Sequence, residues 1–574
     1  MQFREFAPEN GFAWTPPVDC PGPYAKAKLV VETSGPRPPS FGAVALRIAL
    51  YRNTSGTQVA FPGVVFMGSP QQHALVPIWR LERDVTELAS IFQRTPMFLY
   101  GISENNGGDS TTPSETVARR ITLVLYPATN TTPAERPADL VLNPCSPGGG
   151  CGEILPVLPR NIERVYLDVY ARIDEGPGRF WYSCFREEDV VEFPELMNVF
   201  AMGDIPGTPP YARDNGCIGF FAGTWRAVDV FIDQARVGLA PIFPWLPSDL
   251  HTRFQDTIDY PAPSVQALNA VPYRVDLTPF AALLSDGRQH TMSVRQIPGG
   301  GAIFVNAQLL IYRDPGTTQV TGAVTRNDLA GDEPAPTFEG GFSRSAGTTA
   351  GQLRTRTEKA YVIQGYIDTS RGRITTRLTE RHLFNNTQTV SVVGQPTFEM
   401  PVGSTQAMAY LQRVRLSSTV DRISRRTLGS TVLSDDRDYV SYPLILDYSH
   451  AGNVRKIDAT GAVATSTRFD ASAHQARTIR ASHVRPGIPT YGTRLVDVFD
   501  GSRSWRATTN AFTNWDSARR YLFTDSFGSC YSAGLTTLSG VLQTRTRGTE
   551  CPNGNGIRWF AHPDGSADSM MWAE

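Results

Sequence analysis

The segment DEGPGRFWYSCFREED at 174–189 concentrates the side chains that a sugar site uses. Asp174 and Glu175 end an alternating strand, a Pro-Gly turn follows, and Arg179, Phe180, Trp181 and Tyr182 come next. Aromatic rings stack on the apolar face of a pyranose, while carboxylates bind hydroxyls or move protons. A solvated turn with Trp181 in the core is the competing reading. A second stretch, GTWRAVDVF at 223–231 followed by PIFPWLPSDLHTRF at 241–254, puts Trp225, Trp245, Asp249 and His251 in or near loops. Large aromatics there line a groove or cap the end of a sandwich. In YGISENNGGD at 100–109, Glu104 follows a strand and precedes a Gly-rich loop, which makes it a candidate rim carboxylate beside the blander reading of a plain loop. The chain has no GxSxG elbow, no HExxH and no P-loop. The GGG at 299–301 lacks a following helix and Lys, so it reads as a turn. The eight histidines are scattered and suggest no metal cluster.

Elements that present such side chains are legible from pattern. At 574 residues the chain is too long for one core, and two to four domains are expected. Its 50 Gly and 43 Pro interrupt helices and build turns between short apolar runs. In RVYLDVYARI, Val165, Leu167, Val169, Ala171 and Ile173 face one way; Arg164, Tyr166, Asp168, Tyr170 and Arg172 face the other. RAVDVFID at 226–233 alternates too, with Val228, Val230 and Ile232 on one face. No long amphipathic helix is seen. The expected fold class is all-β, with two-layer sandwiches or jelly rolls.

An internal repeat divides the chain. RDVTELASIF at 83–92 and VDLTPFAALL at 275–284 align Asp84 with Asp276, Thr86 with Thr278 and Ala89 with Ala281. Each copy reads as an Asp-Val/Leu-Thr turn leading into one apolar helical turn, then a strand, a polar or Gly-rich stretch and a closing strand. Residues 128–160 and 314–340, rich in Pro, Gly or Ala, read as linkers or ordered crossings. The expected organisation is a first jelly-roll domain at 1–140, a second at 141–320 and a β-rich C-terminal domain at 340–574 with a large open or sandwiched antiparallel sheet.

A net charge of −1 and the lack of a basic stripe argue against a nucleic-acid partner. No run of about 18 apolar residues suggests a membrane span. The start, MQFREFAPEN, does not read as a signal peptide, so a start Met on a mature chain is expected. Seven cysteines without a CxxC pair argue against a zinc ribbon and for disulfides, with local pairs 145–151, 184–217 and 530–551 and Cys20 left over. Few lysines and abundant Thr, Ser and Gly fit a secreted or periplasmic protein.

In order and spacing, the segments 14–32, 83–92, 163–184, 225–245, 273–290 and 370–386, with the turn Asp500-Gly501-Ser502, resemble the peptide-N4-(N-acetyl-beta-glucosaminyl)asparagine amidase A family of plant and acidic bacterial peptide:N-glycosidases. The resemblance implies two jelly rolls with an attached β domain. It also implies hydrolysis of the amide that joins N-acetylglucosamine to asparagine in N-glycosylated peptides and proteins, by a monomer without metal or cofactor, several members working in acid. The related F-type enzymes use an Asp-Arg pair on a strand, aided by Glu residues of neighbouring strands. The corresponding strand here, SFGAVALRIALYR at 40–52, has no acid. The expected roles are therefore Glu175 or Asp174 as base or water-orienting group, Glu104 as second carboxylate, and Arg179 as oxyanion or carboxylate anchor. Trp181 and Trp225 are expected to stack on the chitobiose core, with His251 as a further substrate contact. Two other readings stay open: a non-catalytic carbohydrate-binding protein, and a glycoside hydrolase with carboxylates about 5–10 Å apart.

Overall fold

The computed structural model describes residues 12–14, 18, 22–34, 44–50, 63–68, 78–92, 97–103, 117–128, 136–145, 151–173, 181–198, 224–244, 272–297, 303–331, 335–395, 399–458, 462–509, 511–539 and 541–556. The fold is all-β with sandwich-like sheets. In the amino-terminal part, one sheet has the order Ile78–Asp84, Tyr24–Ser34, Val117–Pro127; the other has Phe12–Trp14, Met97–Ser103, Val44–Leu50, Gly63–Gly68. The same order recurs further on. One sheet is Tyr273–Asp276, Ile162–Ile173, Ile303–Arg313, extended by Leu140–Leu142; the other is Gly152–Ile154, Thr291–Ile297, Ala227–Ile232, Ala235–Pro241. Strands in matching places pair antiparallel in both copies, so the sequence repeat is a repeat of topology.

Period two explains the second core. Val165, Leu167, Val169, Leu309 and Ile311 from one sheet meet Val228, Val230, Ile232, Leu239 and Met292 from the other. Ala227–Ile232 is buried on both faces, which its alternation alone does not suggest. Asp229 on the second face is fully buried and accepts a hydrogen bond from Arg236 Nε at 2.9 Å; a buried charge persists only with such a partner. In the described parts of the Pro-rich segment before this sandwich, Leu140–Leu142 joins one sheet and Gly152–Ile154 the other, with Cys145 and Cys151 disulfide-bonded between them.

The repeated Asp-x-Thr turn makes the same bonds twice. Asp84 Oδ1 accepts from Thr86 N at 2.8 Å, and Ala27 N donates to Thr86 Oγ1 at 3.0 Å. In the second copy Asp276 Oδ1 accepts from Thr278 N at 2.9 Å, and Val165 N donates to Thr278 Oγ1 at 3.2 Å. Asp reverses the chain by bonding the backbone two residues on, and Thr ties the turn to the next strand. Short helical turns follow, Thr86–Leu88 with Ala89–Phe92 and Thr278–Phe280 with Ala281–Leu284. Each turn then faces the next part of the chain. In the first, Ala138 N donates to Glu87 O at 2.9 Å and Ser90 Oγ to Ala138 O at 2.6 Å. In the second, Pro279 presses against Gly365 on the strand Thr348–Thr369.

That strand belongs to an eleven-stranded antiparallel sheet running mostly in chain order from Thr321–Asn327 to Val541–Arg547, closed near its end by the Cys530–Cys551 disulfide. Within 314–340, Thr321–Asn327 and Thr337–Ser345 both pair with Thr348–Thr369. The longest strand, Thr431–Lys456, has 26 residues. One face of the sheet is continuous with the core of the second sandwich through Tyr361, Ile363, Phe384, Val390, Tyr410 and Val414. Cys184 is also in a disulfide, and Cys20 and Cys217 lie outside the described residues. Among the described residues no helix is long and apolar enough to cross a membrane.

A Cβ on Gly365 would lie 2.1 Å from Pro279 O, a backbone atom that cannot swing away. Gly365→Ala is therefore expected to lower stability by about 1–3 kcal/mol. Gly341→Ala, whose Cβ meets nothing within 4 Å, is the control expected to melt close to wild type in calorimetry.

Candidate functional site between the two sandwiches

The polar face of Ile162–Ile173 is not a solvated surface. Asp168 is 3% exposed, Gln308 opposite it 2% and Tyr312 1%. The first sandwich covers this face with its Asp-x-Thr turn and inserts Glu87. Register places Arg274, Asp168 and Gln308 in one row across three strands, because directly paired residues share a face.

Arg274 joins two carboxylates from different sandwiches. Its Nε lies 2.7 Å from Asp168 Oδ1 and its Nη2 3.0 Å from Asp168 Oδ2. The same guanidinium reaches Glu87 through Nη2 at 2.6 Å and Nη1 at 3.1 Å. Tyr312 OH donates to Glu87 Oε1 at 2.6 Å. Arg274 also lies 5.0 Å from the Tyr166 ring centre, and Arg164 lies 4.1 Å from that of Tyr312. Burial alone would raise the Glu87 carboxyl; Arg274 and the Tyr312 hydroxyl outweigh it and bring its pKa from 4.5 down to about 2. The Glu87 side chain stays 38% exposed, so solvent screens part of this interaction. Burial, with the Glu87 charge, pushes the Tyr312 hydroxyl up, so it remains a donor. Gln308 adds an unusual element: both ends of its amide are buried without a hydrogen-bond partner among the described residues. The cluster thus holds a carboxylate kept below its usual pKa, a fixed guanidinium and an unpaired amide.

On its other edge this site rests on the large sheet. Tyr273, next to Arg274, points the opposite way and donates to Glu380, which also bonds His382 Nε2 at 2.7 Å. Arg422, paired with Asp438, donates to the Arg274 carbonyl. Ser424 Oγ donates to Asp276. The free edge of Tyr273–Asp276 is therefore capped by side chains of the large sheet, which fixes the strand that carries Arg274.

The residues singled out from sequence fare unevenly. Asp174, Glu175, Arg179, Glu104 and His251 lie outside the described residues, as do Trp245 and Asp249. The strands leading to two of these positions are described: Ile162–Ile173 precedes Asp174, and Met97–Ser103, with Ser103 opposite Val44, precedes Glu104. Trp181 and Trp225 are described, and the expectation for them is corrected. They are 1% and 5% exposed, so neither presents a free ring face to a sugar. Trp181 stacks on Phe384 at 6.2 Å between centroids, and its segment is pinned to the large sheet. Asn386 donates to Tyr182 O at 2.7 Å, Gln412 to Ser183 O at 3.0 Å and Gln388 to Cys184 O at 3.0 Å. Those amides satisfy backbone carbonyls of the 3-10 turn at 181–183 and of Cys184 after it. Sequence reasoning missed Glu87, Arg274 and Gln308. The available signal was the repeat itself, which puts Glu87 where the second copy has Pro279. Among the described residues no group of His, Cys, Asp or Glu has metal-binding geometry.

No protein-family model matches the chain. A stretch of 238 residues, 41% of the chain, is 23% identical to the peptide-N4-(N-acetyl-beta-glucosaminyl)asparagine amidase A of Prunus dulcis and spans 36% of that protein's length. Among solved structures, recombinant peptide: N-glycanase F (PNGase F) aligns over 53% of this chain and 88% of its own, at TM-score 0.27 and 13% identity. PNGF-II aligns over 50% and 57%, at TM-score 0.27 and 10% identity. Over that stretch of 238 residues the chain is distantly similar to the plant amidase.

Two outcomes test this site. Because Glu87 has a depressed pKa, its ion pair contributes fully above pH 4.5 and is lost as pH falls toward about 2. The melting difference between wild type and Glu87→Gln should be constant above pH 4.5 and vanish near pH 2. An unpaired buried amide costs about 1–3 kcal/mol, so Gln308→Met should melt at or above wild type in scanning calorimetry.

Proposed function

We propose that the protein hydrolyses the amide between N-acetylglucosamine and asparagine, releasing the N-glycan from peptides and proteins and leaving aspartate. The reading is supported by the similarity to the plant amidase, which covers part of both chains. The observation that carries it in the molecule is the Glu87–Arg274–Asp168 row, enclosed between two sandwiches of the same topology.

An amide is a poor electrophile with a poor leaving group. Its hydrolysis needs an activated water, a stabilised oxyanion and a proton for nitrogen. In the proposed mechanism Glu175 or Asp174, which follow the strand carrying Asp168, takes a proton from water as the hydroxide oxygen bonds to the side-chain carbonyl carbon. Glu104 in its acid form gives a proton to the departing nitrogen, and Arg179 holds the oxyanion. The carbon–nitrogen bond breaks, leaving aspartate and a glycosylamine that loses ammonia in water. Asp168 and Glu87, both bound to Arg274, serve as positioning groups, since a carboxylate held by two guanidinium bonds is a weak base. A Glu87 pKa of about 2 keeps this framework charged in acid. The disulfides suit a secreted or periplasmic site of action.

A second reading, sugar binding without cleavage, is favoured by one observation: the strand Val44–Leu50, VALRIAL, carries no acid.

Mass analysis of a glycopeptide after incubation separates the readings. Free oligosaccharide with new aspartate is the amidase result, a peptide that keeps a sugar on asparagine is the glycosidase result, and an unchanged peptide leaves binding alone. Glu175→Gln is expected to slow release by about 10²–10⁴-fold with the melting temperature unchanged. Near-normal turnover in that variant would remove Glu175 from the base role.

A further inference from the structure

The outward face of the eleven-stranded sheet is opposite the face that meets the second sandwich, and its charges are mostly answered locally. Arg373 pairs with Asp368, Arg415 with Asp447, Arg437 with Asp435 and Arg468 with Asp470. Arg480 and Arg494 break this rule. They are directly opposite each other on adjacent strands, Ala462–Arg485 and Ile488–Arg506, and both are exposed. Among the described residues neither has a carboxylate partner within salt-bridge distance. Like charges in that position oppose sheet pairing.

The surroundings of the pair are specific. Tyr439 is opposite Arg480 on the third strand, 39% exposed, with the guanidinium 5.9 Å from its ring centre. In the next row on the same face, Arg437, held by Asp435, is followed by Ser482 and Gly492, so two small residues leave a dip beside the Arg480–Arg494 pair. A Cβ on Gly492 would touch only a backbone oxygen at 3.6 Å. Asp421 is on the far side of Tyr439, opposite Arg381. With Asp435, Asp447 and Asp470 on the same face, it interrupts any longer positive track.

We propose that this dip binds one acidic sugar residue, its carboxylate or sulfate ester bridging Arg480 and Arg494 and its pyranose lying against Tyr439. Paired guanidinium groups hold an oxyanion through several charge-assisted hydrogen bonds, and the ring supplies the apolar contact that a free ion cannot use. The acids around the dip confine it to a single negative group and exclude a polyanion. The site needs no amide cleavage and stands independently of the amidase reading.

The test is calorimetric titration of the full chain with sialyllactose, lactose 3′-sulfate, lactose and sodium sulfate. The acidic sugars should bind, lactose should not, and affinity should fall as salt rises from about 20 to 150 mM. Sialyllactose over lactose 3′-sulfate identifies a carboxylate as the group, and the reverse a sulfate ester. The R480Q/R494Q double variant should bind the acidic sugars about tenfold more weakly, while melting at or above wild type at low salt because the like-charge contact is gone. Tyr439→Ala should weaken the sugars but not sodium sulfate. Equal binding of lactose and the acidic sugars, sodium sulfate binding as tightly as either, or an undiminished double variant would overturn the proposal. Tighter binding of a DNA oligomer than of any acidic sugar would overturn it in favour of a polyanion surface.

Discussion

One guanidinium holds the two sandwiches in register. Arg274 sits on a short edge strand of the second sandwich and is shared by Asp168 of its own sheet and Glu87 of the first. Each carboxylate taken out of water needs a partner, and one cation answers both. The Tyr312 hydroxyl and the Tyr166 ring complete its surroundings, so the guanidinium plane is fixed from several sides. The apolar cluster of the second sandwich lies inside it, away from this contact.

The large sheet acts on the same strand from behind. Arg422 reaches the Arg274 carbonyl, Ser424 reaches Asp276, and Tyr273 bonds Glu380. Four residues, Tyr273–Asp276, thus contact all three parts of the chain, alternate side chains pointing to opposite sides as a strand requires. Through Asn386, Gln388 and Gln412 the same sheet also fixes the segment Trp181–Cys184. The large sheet therefore shapes the ground on which the site stands, though it supplies neither Glu87 nor Asp168.

Local chemistry was the legible part of the sequence. The Asp-x-Thr turns could be found because Asp84 and Asp276 bond residues two positions on, and the 145–151 and 530–551 disulfides because their partners are close in sequence. Period two separated Val165, Leu167 and Val169 from Arg164, Tyr166 and Asp168 correctly. It could not say that the polar set is covered, since the covering residue lies 187 positions from Arg274. An aromatic next to acids reads the same whether it lines a groove or fills a core, and Trp181 fills a core. The ion pair at Glu87 had only a mismatch in the repeat to announce it.

That mismatch gives the chain two joints of different character from one duplicated turn. The first closes on charge, Glu87 against Arg274; the second closes on shape, Pro279 against the bare backbone of Gly365. Ionic strength and proton concentration act on the Glu87–Arg274 contact and not on the Pro279–Gly365 contact, beside which ion pairs such as Arg371–Glu163 and Arg344–Glu195 also join the second sandwich to the sheet. The first contact therefore answers to acid and salt, whereas the second answers only to the volume of the residue at position 365.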